Sequence, residues 1–132
     1  MRFTEHELTR ALNGAAKAVL AAQNRGVRKG KADIEQVWEQ MDRFKRFQLL
    51  DSLGSQILPV LVALPDVEVA PGTRPTFTDR QILEVVESQV GEAGGKLRRK
   101  AVVAARVALV RLALDQLPPR LDPDALVVPD SL

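Results

Sequence analysis

Residues 101–114 read Ala-Val-Val-Ala-Ala-Arg-Val-Ala-Leu-Val-Arg-Leu-Ala-Leu, fourteen positions of which only Arg106 and Arg111 are charged. On a helix this run places apolar side chains on every side, and such a helix belongs at the centre of a core or under a partner. Proline lacks a backbone donor and clashes with the preceding turn, so Pro118-Pro119 ends the run. The pattern predicts a central apolar helix over 95–117 that closes a single helical domain, 1–117. Pro123 and Pro129 make 118–132 an extended, Pro-rich C-terminal tail.

Working outward, Thr78 with Gln81 three residues on, and Phe77 placed to pack on Ile82, mark the start of a helix over 78–91. Thr4, Glu7, Phe3 and Leu8 repeat that arrangement at the start of a helix over 4–25, with Leu8, Leu12, Ala15 and Val19 on its apolar face and Gly26 as its stop. Either both are generic caps, or they are traces of a duplication that would relate two helix pairs by a pseudo-two-fold.

Asp33 and Gln36 suggest a third start, leading a helix over 33–53. Its stripe of Ile34, Val37, Trp38, Met41 and Phe44 drifts on through Phe47, Leu50 and Leu53 until Gly54 interrupts it. Glu39/Arg43 and Asp42/Arg46 stand at the i,i+4 spacing that supports a helix. The apolar stretch from Ser55 to Leu64 then forms a short buried helix, or one kinked at Pro59. Residues 65–76 read as a loop with a small hairpin at Pro71-Gly72. The expected fold is all-α: an irregular bundle of four main helices plus one short helix.

The 132 residues are 45% hydrophobic and 27% charged, an ordinary balance for one globular domain. There is no cysteine, which excludes disulfides, thiolate chemistry and cysteine-ligated zinc. The opening MRFTEHELTR has no apolar run, so no signal peptide is expected, and no stretch is long and apolar enough for a membrane span. These features read as a cytoplasmic protein. Thirteen arginines against six lysines, and sixteen valines against three isoleucines, suggest GC-rich bacterial coding.

Net charge is +2, unevenly spread: +5 over 1–31, −6 over 32–95, +6 over 96–111 and −3 over 112–132. Two basic loops stand out, with Arg25, Arg28, Lys29 and Lys31 in the first and Lys96, Arg98, Arg99 and Lys100 in the second. They are candidate contacts for an anion or nucleic acid, and otherwise solvated charge. Aromatic residues that would stack bases are not interleaved with them.

Motifs for other chemistry fail on specific residues. A phosphate-binding loop ending at Lys96 would need glycine where Val90 stands and Ser or Thr where Leu97 stands. The single histidine, His6, has no glutamate three residues before it for an inward-facing metal pair. Ser52, Ser55, Ser88 and Ser131 lack nucleophile-elbow surroundings. A helix-turn-helix would make Ser55–Leu64 the recognition helix, yet that segment offers no Arg or Lys. No metal, cofactor or catalytic residue is assigned.

Three residues remain as candidate interface positions. Trp38 is either core or an interface anchor. Arg106 and Arg111, set in apolar surroundings, need water or a carboxylate such as Glu35, Glu39, Glu84 or Glu87, within the chain or across a subunit boundary. The expectation is a non-enzymatic protein–protein interaction or assembly subunit that associates with itself. The alternative is sequence-nonspecific nucleic-acid binding through loops 25–31 and 96–100.

Overall fold

The computed structural model describes residues 1–92 and 94–120, so residues 121–132 of the expected tail lie outside the described residues. The fold is all-α. Six helices follow in chain order: α1 (Glu5–Gln23), α2 (Arg25–Arg28), α3 (Ile34–Gln40), α4 (Arg43–Ala63), α5 (Asp79–Gln89) and α6 (Gly95–Asp115). The described residues include no strand.

Both expected capping boxes form. The Thr4 hydroxyl accepts from the Glu7 amide at 3.1 Å while the Glu7 carboxylate accepts from the Thr4 amide at 2.9 Å. Thr78 and Gln81 make the same reciprocal pair at 3.1 and 2.8 Å. The two helix starts also meet, because the rings of Phe3 and Phe77 lie 6.5 Å apart at 57°. The helices that these caps begin differ in length and in what directly follows them. The 19-residue α1 is followed by a single four-residue helical turn, whereas the 11-residue α5 is followed by the 21-residue α6.

Three boundaries differ from the sequence reading, each for a local reason. Helix α1 stops before Gly26, at Asn24. Asn24 takes an extended conformation and its side-chain oxygen accepts from the Val27 amide at 3.0 Å, starting α2 within the first basic loop. The helix expected over 33–53 is broken at Met41-Asp42. The Arg46 guanidinium reaches back from α4 and donates to the carbonyls of Trp38, Glu39 (3.2 Å) and Met41 (3.3 Å), satisfying the end of α3. With the helix broken there, neither Glu39/Arg43 nor Asp42/Arg46 is among the ion pairs of the described residues.

Gly54 does not interrupt the chain. It is buried inside α4, which runs on through an exposed Pro59 to Ala63. A Cβ added at Gly54 would lie 3.5 Å from Leu12 of α1, an ordinary contact, so the glycine sits in the helix beside α1 without breaking it. The expected small hairpin is also replaced. Gly72, at φ +82°, donates to the Arg120 carbonyl at 2.7 Å, and the Arg120 amide donates to Thr73 at 2.7 Å. The 70–73 turn is thereby tied to the chain that leaves α6.

Helix α6 packs against α1, α4 and α5. Val103, Val110, Ala113 and Leu114 enter a core shared with Ala11, Ala15 and Ala16 of α1, Ile57, Val60 and Leu61 of α4, and Ile82 and Val86 of α5. The expectation that α6 is hidden on all sides is corrected: Ala101, Ala104, Ala105 and Ala108 are exposed. Alanine is an excellent helix former with little apolar area, so an alanine flank reads as apolar yet tolerates water.

At the chain start, the Met1 ammonium donates to the carbonyls of Val62 (3.2 Å) and Leu64 at the end of α4, with Asp66 3.7 Å away. At the other end of the described chain, Arg120 grips the buried Glu7 carboxylate at 2.9 and 3.1 Å. Burial pushes the Glu7 carboxyl up, but bonds from the Thr4 amide and Arg120 outweigh it and hold its pKa below the usual value.

Candidate interaction surface

The surface is built on α4, whose apolar residues outnumber what one core-facing stripe can hold. Leu53, Ile57, Val60 and Leu61 face inward and are buried. Phe44, Phe47 and Val62 instead face solvent at 65%, 66% and 57% exposure, against the expectation that Phe44 and Val62 belong to the core. Between them runs a groove of about 550 Å³, lined by Leu12 of α1 and by Phe47, Leu50, Gly54, Leu58 and Val62 of α4. Its polar rim carries Asp51 and Ser55, both exposed. Scattered exposed apolar residues are normal, whereas aromatic and branched side chains aligned along one helix face form a contiguous patch.

The sequence reading missed this surface by ending a helix at Gly54, which split the stripe in two. The available signal was the spacing 44, 47, 51, 55, 58, 62, continuous at three- and four-residue steps once α4 is one helix.

Trp38, a candidate anchor, belongs to the core at 9% exposure. It is held between Lys17, whose ammonium lies 5.8 Å from the ring centre, and Arg46 at 5.2 Å. Lys17 also pairs with Glu35 at 2.9 Å. Arg111 is engaged within the chain: it donates to the Phe77 carbonyl at 3.3 Å and to Asp79, not to the four glutamates named above. Arg106 is half-buried, its Nε without a partner among the described residues.

The basic loops sit on separate elements. Arg25, Arg28, Lys29 and Lys31 are exposed in and after α2, which packs on α1. Lys96, Arg98 and Lys100 are exposed at the start of α6, where the half-buried Arg99 donates to the Glu87 carbonyl at 3.1 Å. Lys96, Arg99 and Lys100 border a hollow of about 440 Å³ against Leu83 and Glu87 of α5. Among the described residues, no hydrogen bond, ion pair or cavity lining joins one loop to the other. In the same residues, no group of three His, Cys, Asp or Glu side chains is placed to hold a metal, and no helix is long and apolar enough to cross a membrane.

No protein-family model, curated protein or solved structure matches the chain.

Proposed function

We propose that the protein is a non-enzymatic assembly subunit that works by binding protein, first of all a second copy of itself. The observation that carries this reading is the solvent-facing apolar side of α4, where Phe44 and Phe47 stand about two-thirds exposed beside a groove. Aromatic side chains dominate interface energetics because each removes a large apolar area from water on contact. The non-enzymatic part rests on the side-chain inventory of one histidine, no cysteine and no tyrosine.

The setting we propose is the bacterial cytoplasm, in keeping with the missing cysteine and the arginine and valine bias. Nucleic-acid binding is the weaker alternative, because its eight candidate cations are divided between α2 and the start of α6. Sedimentation velocity across a hundredfold concentration range is the test. A shift from about 14.5 kDa toward twice that mass is expected, and a monomer throughout refutes the reading.

A further inference from the structure

Resting on that self-association reading, we infer that α4 pairs with α4 of a second copy, antiparallel, about a two-fold axis level with residue 53. Three features of the face point to this occupant and orientation.

The stripe is nearly symmetric about its own midpoint. Phe44, Phe47 and Asp51 precede residue 53 by nine, six and two positions, while Ser55, Leu58 and Val62 follow it by two, five and nine. With a rise of about 1.5 Å per residue, antiparallel overlay sets Phe44 opposite the second copy's Val62 position, Phe47 opposite its Leu58, and Asp51 opposite its Ser55. A surface that complements itself under reversal is what an isologous contact requires.

The relief is also complementary. Phe47 is a protruding aromatic, and the groove toward Leu58 and Val62 is the hollow on the same face. Reversal seats each Phe47 in the other copy's groove. At the middle, the exposed Ser55 is small enough for two helices to approach closely. The sole charge within the stripe, Asp51, meets a serine hydroxyl there, so its carboxylate gains a donor when water leaves.

The ends of the face differ in net charge, positive over 42–46 despite the exposed Asp42 and negative over 66–68. Arg43 and Lys45 are exposed at the start of α4, and Asp66 and Glu68 are exposed just past its end. Among the described residues, the ion-pair partner of Asp66 is the Met1 ammonium, 3.7 Å away. Antiparallel pairing brings base to acid at both ends, within the reach of an arginine side chain. Parallel pairing would set base on base and acid on acid.

The absence of cysteine makes the register directly measurable. Single variants Asp51→Cys and Ser55→Cys, both at exposed positions, are mixed and mildly oxidised, with Ala108→Cys on the exposed flank of α6 as control. The expected product is a 51–55 disulfide between copies, formed at least about tenfold faster than 51–51, 55–55 or 108–108 links. Phe47→Asp, substituted twice in a symmetric dimer, should weaken association by about 100-fold or more. Arg43→Glu and Asp66→Arg should each weaken it, and the double variant should recover toward the parent affinity. A dimer that links 51–51 or 108–108 instead, or ignores Phe47→Asp, overturns this pairing while leaving self-association standing. A chain that stays monomeric at every concentration overturns both.

Discussion

Substituting alanine for glycine has opposite expected consequences at two helical positions. Gly54 is buried in the middle of α4, and a Cβ there would meet Leu12 Cδ2 at 3.5 Å and Leu58 Cδ1 at 3.7 Å, both ordinary contacts. Relieving the backbone entropy of a helical glycine contributes about 0.5–1 kcal/mol. Burying one more methyl adds up to about 0.8 kcal/mol. Gly54→Ala should therefore stabilise the protein by about 1–1.5 kcal/mol, raising Tm by roughly 3–8 °C for a domain of this size.

Gly14 is the counter-case, since a Cβ there would sit 2.3 and 2.4 Å from Gln116 Cγ and Cβ. Those atoms stand next to the backbone at the end of α6 and move only if that turn moves. The overpacking cost of about 1–3 kcal/mol then exceeds the helix gain, so Gly14→Ala should destabilise. Adding Gln116→Gly should return much of the loss, as expected for two groups in contact. Urea unfolding at unchanged slope reads all of these variants. Destabilisation by Gly54→Ala would show that glycine is needed for a bend or a tighter approach to Leu12, and would refute α4 as one helix with room beside α1.

The other expectations concern charge, capping and the exposed aromatics. Because Glu7 is held below the ordinary glutamate value of 4.5 in the fold, its contribution is fully present above that pH and is lost as the pH falls through the lower folded value. Glu7→Gln should destabilise at neutral pH and flatten the urea midpoint's dependence between pH 7 and about 3; an unchanged acid profile refutes the pairing with Arg120. Arg46→Lys should cost about 1–3 kcal/mol, since an ammonium cannot serve the end of α3 and stack on Trp38 as the guanidinium does. Fluorescence of this sole tryptophan should shift to the red in the variant, and an unaltered spectrum and midpoint would refute that role. Phe47→Ala should change the unfolding midpoint of dilute protein by less than about 0.5 kcal/mol, since the ring is 66% exposed. A larger loss in a monomer would mean that Phe47 is part of the core.

Features written in short spans of sequence were legible. Thr4 with Glu7 and Thr78 with Gln81 specify their caps within four residues, and both capping boxes form. The break at Met41-Asp42 was not legible, because the group that satisfies the end of α3 comes from Arg46, beyond the break, and depends on where α4 points. The partner of Arg111 was missed for a similar reason: the two capping motifs bring Phe77 and Asp79 to α6, and no spacing rule links residues 32 positions apart. Gly54 was misread because a glycine can be carried within a helix when the flanking turns are held by packing against its neighbours, which the order of residues along one helix does not show.

The two long helices α4 and α6 also show how far a count of apolar residues along the chain can differ from the apolar area that packing leaves exposed. The run from 101 to 114 in α6 suggested a partner because apolar residues surround it, yet most of what it turns to water is alanine methyl. Helix α4 interleaves Gln48, Asp51, Ser52 and Ser55 with its apolar residues, so no apolar run as long as that of α6 marks it. What it exposes is nonetheless two phenylalanines and a branched valine. Hydrophobic driving force scales with the area removed from water, about 25 cal/mol per Å², and an aromatic ring carries several times the area of a methyl. Covering the alanine flank of α6 therefore removes less apolar area per side chain than covering Phe44, Phe47 and Val62 of α4. Area per side chain, summed over the face that packing leaves open, is what favours α4 in the proposed pairing, where a count of apolar letters favours α6.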